Sequence, residues 1–143
     1  ISQIAVLAPT MPRPEQARAG DGGIQSEPYT EALLRAAKAE GPVFVNFTAD
    51  WCITCKVNEV VAIDTEATTE LFEALGVRYL KADWTLEDPK ITAALARFGR
   101  VGGPLYLVYH RGSETPLILP QILTGEMIRQ ALQTRAPAEI NDA

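Results

Sequence analysis

Two cysteines three residues apart carry the reactive chemistry of this chain: Cys52 and Cys55 in Trp51-Cys52-Ile53-Thr54-Cys55-Lys56. A pair at this spacing can be half of a zinc site, a structural disulfide or a redox dithiol. Structural zinc takes four protein ligands, and here there is no third cysteine and a single histidine, His110. A structural disulfide that closes so short a loop gains little, because its stabilisation grows with loop length. The redox reading is favoured by position, since the pair follows an apolar run of strand length and opens a helical stretch inside a predicted β-α-β unit. No metal is expected, and no cofactor beyond the Cys52–Cys55 pair itself.

Position also separates the two roles. Cys52 falls at the helix N-terminus, where free backbone N–H groups and the helix dipole favour a thiolate. Cys55 follows one turn deeper on the same face. Cys52 is therefore expected as the attacking nucleophile and Cys55 as the sheltered, resolving thiol. Lys56 would favour the thiolate, whereas Asp50 and Glu59, two residues before and seven after Cys52, would disfavour it. The sign of the net effect stays open, and so do the plainer roles: a capping residue for Asp50, a solvated helix face for Lys56 and Glu59. Trp51 either shields or docks partners at the dithiol, or simply packs. Trp84 reads as a core or rim residue, Tyr106 and Tyr109 as core or sheet-face residues, and His110 as a surface residue.

The elements that hold the pair can be read along the chain. Residues 1–27, punctuated by Pro9, Pro12, Pro14, Gly20, Gly22 and Gly23, read as a tether, with a short strand conceivable at Ile4–Leu7. Leu33, Leu34 and Ala37 mark a helix ended by Gly41-Pro42. Val43–Thr48 is nearly continuously apolar, as suits a central strand covered on both faces. A helix is predicted from about Cys52 to Ile63, a second over Thr65–Leu75 closed by Gly76, and a strand over Val77–Ala82. Asp88 and Pro89 start another helix as cap and first residue, with Ile91, Leu95 and Phe98 as its buried stripe. Leu105–His110 and Leu117–Leu119 form a hairpin. Thr124 caps a last helix through about Gln133. The domain is thus set at residues 28–135, with a fraying tail at 136–143. A β-α-β half joined through a helix to a β-β-α half is the thioredoxin arrangement: α/β, a central mixed sheet flanked by helices.

Composition bounds the remaining choices. The chain has 143 residues, 47% hydrophobic and 22% charged, enough for one domain with a real core. A net charge of −5 argues against nucleic-acid binding. The longest apolar runs, near Ile4–Ala8 and Leu105–Tyr109, fall well short of the roughly 20 residues that cross a bilayer. Because the sequence starts at Ile1 without a signal-like segment, it reads as a piece of a longer precursor.

Val45-Asn46-Phe47-Thr48-Ala49-Asp50-Trp51-Cys52-Ile53-Thr54-Cys55-Lys56, then Lys81-Ala82-Asp83-Trp84-Thr85, Phe98-Gly99-Arg100 and Pro104-Leu105-Tyr106-Leu107-Val108-Tyr109, resemble the C-terminal thioredoxin-like domain of DsbD- and ScsB-type transmembrane reductases, including proteins of cytochrome c biogenesis. The resemblance covers residues 28–134. It implies a periplasmic domain tethered to the bacterial inner membrane, a protein-disulfide reductase. Its Cys52–Cys55 pair would take electrons from a transmembrane donor domain of the same protein and pass them to periplasmic thioredoxin-like acceptors. It also implies that Pro104 is cis and faces the dithiol, leaving the Gly103 backbone free to pair with an extended partner segment. Glu59 falls where the family often has an acid near the pair. Two positions depart from the pattern. Asn46, six residues before Cys52, stands where relatives often carry a buried Asp that accepts the deeper thiol's proton, which an amide cannot do. Gly103 is small where many relatives have a larger residue, and a wider docking surface is the expected consequence. The alternatives are a stand-alone periplasmic disulfide oxidase or isomerase acting on many clients, and a binding domain whose cysteines merely pair.

Overall fold

The computed structural model describes residues 24–134. The strand conceived at Ile4–Leu7 and the tail at 136–143 lie outside them. Five strands form one mixed sheet: β1 (Glu27–Pro28), β2 (Val43–Thr48), β3 (Arg78–Asp83), β4 (Leu105–Tyr109) and β5 (Leu117–Leu119), in the spatial order β1-β3-β2-β4-β5. β2 runs parallel to β3 and antiparallel to β4, and β4 pairs antiparallel with β5. β2 is therefore central, and all six of its residues are buried.

Alternation along β2 divides its side chains between two apolar layers. Val43, Val45 and Phe47 join Leu34 and Ala37 of α1 (Glu31–Glu40) and Ile91, Ala94 and Leu95 of α4 (Pro89–Ala96). Phe44 points to the opposite layer, with Ala62 and Ile63, Phe72 of α3 (Glu66–Leu75), and Ile128, Ala131 and Leu132 of α5 (Gly125–Gln133). Helices thus cover both faces, as a parallel core strand demands.

The helix ends follow from side-chain capping. Thr30, Thr65, Asp88 and Thr124 each accept a hydrogen bond from a first-turn backbone N–H. Gly76, at φ 69°, supplies the left-handed residue that closes α3. Phe98 lies just beyond α4 yet still packs on its layer.

Three features differ from the sequence expectation. The helix expected over Cys52–Ile63 is α2 (Ile53–Asn58) followed by a π-helical segment, Glu59–Ile63, in which the Asp64 N–H reaches back to the Glu59 carbonyl at 2.6 Å. The wider turn puts both Val60 and Val61 outside while Glu59, Ala62 and Ile63 face in. Glu27–Pro28 is an edge strand parallel to β3, gripped through the Arg78 guanidinium on the Glu27 carboxylate at 2.9 and 3.0 Å, and Ile24 packs on the second layer. Proline is tolerated there because an edge strand has one unpaired side. His110 is half-buried rather than a surface residue, its ring nitrogen 3.0 Å from the Ala131 carbonyl.

Candidate functional site: the Cys52–Cys55 disulfide

The dithiol sits where β2 ends and α2 begins. Cys52 and Cys55 are joined as a disulfide, with Cα atoms 5.2 Å apart. Cys52 is itself the N-cap of α2: its backbone is extended and its Sγ accepts the Cys55 N–H at 3.2 Å. Asp50, for which capping was the plainer reading, is instead solvent-exposed and reaches Lys56 Nζ at 3.4 Å. Cys52 is half-buried and Cys55 wholly buried. The two sulfurs are therefore unequal in access.

Beneath the pair lies a small polar cluster inside the apolar layer. Glu59, one helical turn beyond Cys55, is 6% exposed. Its Oε2 accepts a hydrogen bond from Asn46 Nδ2 at 3.2 Å, and its Oε1 lies 3.7 Å from Lys56 Nζ. Lys56 thus bridges an exposed carboxylate, Asp50, and a buried one, Glu59. Asn46, fully buried, donates a second bond to the Tyr79 hydroxyl at 3.0 Å. Burial pushes the Tyr79 phenol well above its ordinary range. Asn46 Oδ1 and Thr48 Oγ1 are buried without a hydrogen-bond partner among the described residues. Asn46 thus acts as a donor to Glu59, which leaves Glu59 as the buried carboxylate of the cluster.

The opposite wall is the loop before β4. The Gly103–Pro104 peptide is cis. A Cβ on Gly103 would stand 2.8 Å from the Phe47 carbonyl oxygen and 3.3 Å from Cys55 Sγ. The missing side chain therefore does not widen the surface, as expected from sequence; the backbone has closed onto β2 and the buried sulfur. Arg100 Nη1 holds this loop through the Pro104 carbonyl at 2.9 Å.

Trp51 is 53% exposed and lies against Trp84, ring centroids 5.7 Å apart, with its indole N–H donated to the Thr85 carbonyl. The Thr85 hydroxyl accepts the Asp50 N–H at 2.8 Å. Thr85 and Tyr79 were not singled out from sequence. Tyr79 could have been found only through register, which sets it beside Phe44 on the face that carries Asn46. Among the described residues no group of three or more His, Cys, Asp or Glu gathers as a metal site. No described helix is long and apolar enough to cross a membrane.

A βαβ-ββα sheet with a disulfide-bonded C-x-x-C at the start of α2 meets its counterpart in the family comparison, where residues 25–110 match the model described as thioredoxin-like. The chain belongs to the thioredoxin-like family. Its arrangement is that of a thiol–disulfide oxidoreductase domain. Within the thioredoxin-like proteins it is 33% identical over 96 residues to the thiol:disulfide interchange protein DsbD of Ralstonia nicotianae, covering 66% of this chain and 16% of that protein. It is 36% identical over 96 residues to DsbD 2 of Pseudomonas aeruginosa, with the same coverage. The chain thus spans about a sixth of the length of these relatives. The reduced C-terminal domain of Neisseria meningitidis DsbD superposes with a TM-score of 0.55 at 25% identity, covering 71% of this chain and 92% of that domain. The oxidised form of that domain gives 0.56 at 23% identity, with 74% and 95% covered, a likeness of fold.

Proposed function

We propose that this domain is an electron relay, reduced by a membrane-embedded donor domain of its own full-length protein and oxidised by thioredoxin-like partners in the periplasm. The observation that carries the reading is the unequal access of the two sulfurs. In the reduced protein Cys52, at the mouth of the site, attacks a partner disulfide. One partner sulfur leaves as a thiolate, and a Cys52–partner mixed disulfide remains. Cys55, held one turn below, then attacks the Cys52 sulfur. That step releases the second partner thiolate and restores the Cys52–Cys55 disulfide. Two electrons have passed to the partner. The proton of the Cys55 thiol must leave before this second attack, and we assign its acceptance to Glu59, the buried carboxylate one helical turn beyond Cys55. Asn46 orients Glu59 through its amide, and Lys56 holds the other carboxylate oxygen. The Gly103 edge, with its cis proline, offers backbone to an extended stretch of partner beside its cysteine.

The resemblance to DsbD proteins supports the periplasmic, membrane-tethered setting and gives the residues ahead of Ile24 the part of the tether. Trapping with Cys55→Ala tests the relay. The variant should accumulate a mixed disulfide with a thioredoxin-like partner through Cys52, and Cys52→Ala should accumulate none. The reduction potential is the companion measurement. A value near about −270 mV, typical of thioredoxin-like reductants, supports the relay, whereas one near about −120 mV would assign the domain to disulfide installation.

A further inference from the structure

The outer face of the helix that carries the dithiol is apolar where a solvated helix should be polar. Ile53 is 79% exposed, Val57 52%, Val60 69% and Val61 58%. On a helix these positions stand four, seven and eight residues apart and share one side. The stripe continues into the π-helical turn, where Val60 and Val61 are exposed while Glu59 and Ile63 stay in. The stripe runs about 12 Å from Cys52, from the helical rise of ~1.5 Å per residue. Trp51 adds an exposed indole at its upper end. Single exposed apolar residues need no explanation, but four on one helix face beside the reacting sulfur do.

Three occupants can be weighed. A lipid surface would ask for basic residues flanking the apolar face. The lysine on this helix, Lys56, is already engaged by Asp50 and Glu59, and the chain carries a net charge of −5. A second copy seated on the stripe would cover the start of α2 and close access to Cys52, the sulfur that has to exchange. A folded protein that exchanges with Cys52 must in any case cover the start of the stripe, because the stripe is continuous with the reacting sulfur.

We propose that the Ile53–Val57–Val60–Val61 stripe is the docking surface for a folded thiol–disulfide partner whose own exchanging cysteine is bordered by an uncharged, apolar surface. The inference rests on the relay reading and deepens it. An unfolded client needs only the Gly103 backbone edge on the other side of Cys52. A dedicated folded partner gains its preference from the stripe, since each aliphatic side chain it covers adds apolar burial.

The triple variant Val57→Gln, Val60→Gln, Val61→Gln tests this without adding charge near the sulfurs, and glutamine is at home in a helix. The reduced 143-residue protein is mixed with oxidised thioredoxin, and separately with the neutral small molecule hydroxyethyl disulfide. Exchange is followed by tryptophan fluorescence, and thermal unfolding checks that the variant is folded. The expected result is a loss of about tenfold or more in the rate constant with thioredoxin, tenfold being ~1.4 kcal/mol, with the rate on hydroxyethyl disulfide changed less than about twofold. Equal rates of wild type and variant on thioredoxin overturn the inference and leave the relay standing. Equal slowing on both disulfides in a folded variant also overturns it, because the stripe would then act through the sulfur and not through docking. A wild-type protein that reduces thioredoxin no faster than free dithiothreitol overturns the relay, and the inference with it. Dimerisation or binding to anionic vesicles that the triple variant abolishes would assign the stripe to a second copy or to lipid instead.

Discussion

At Gly103 the chain passes so close to β2 and the buried sulfur that a side chain there requires the loop to move. A valine there would bring its Cβ to 2.8 Å from the Phe47 carbonyl oxygen and 3.3 Å from Cys55 Sγ. Both neighbours are rigid, one a backbone atom of the central strand and the other a fully buried sulfur. The loop must therefore retreat and separate the Gly103 edge from the dithiol. Gly103→Val is expected to lower stability by about 1–3 kcal/mol, the usual cost of overpacking. It should slow reduction of a protein disulfide more than reduction of a small disulfide. Urea denaturation and paired rate measurements check this, and a variant of unchanged stability would mean the loop yields freely. Cys52 and Cys55 were legible because the C-x-x-C spacing is local, whereas Gly103 and Pro104 followed from the resemblance and not from the residues alone. Asn46 and Glu59 were legible as positions but not their mutual hydrogen bond, since thirteen residues separate them and only the crossing of β2 beneath the helix brings them together.

The dithiol helix is held in place from behind by Asn58, at the junction of α2 and the π-helical segment. Its amide nitrogen donates to the Tyr106 hydroxyl at 2.8 Å and to the Gln121 carbonyl at 2.7 Å, and its oxygen accepts the Leu123 N–H at 3.1 Å. One buried side chain thus joins the helix, strand β4 and the loop ahead of α5. Asn58→Ala would leave three polar groups without partners, at about 1–3 kcal/mol for each that stays buried and unmet. We expect a loss of about 3 kcal/mol in total, with fast hydrogen exchange at the Leu123 amide as the local signature. If that amide stays protected, the loop has another anchor. Most elements here were legible in the sequence because caps and periodicity are local: Asp88 and Thr124, read as caps, each begin a helix one residue later. The π-helical turn was not legible, since a single i→i+5 turn is too short to leave a period of its own in the sequence. Strand β1 was not legible either, because two residues with one proline carry no alternation. Its pairing depends on Arg78, fifty-one residues away in the chain.

For the whole molecule, the two apolar layers enclose phenols that must stay neutral. Burial pushes Tyr106 up to about 12 and drives Tyr79 in the same direction. A group whose pKa is raised by folding contributes stability that is complete below its unfolded value, near ~10 for tyrosine, and lost as pH climbs through the folded value. The denaturation midpoint of the oxidised protein should therefore be insensitive to these groups below pH about 10 and should fall between about 10 and 12. Tyr106→Phe should flatten part of that fall, and a midpoint level through this window would refute the assignment. The placement of β1 has a consequence for reach. It runs parallel to β2 and β3, and Arg78, which grips Glu27, lies at the start of β3, whereas Cys52 follows the far end of β2. Residues 24–26 therefore lead back towards the pole of the domain opposite the dithiol. A domain suspended from that pole carries its reactive sulfur on the side away from the pivot, a sheet's height of about 20 Å off at ~3.3 Å per residue. In the proposed relay, a tether leaving at that pole would present Cys52 to partners on the far side, and a membrane-embedded donor would reach the sulfur only once the domain had turned over.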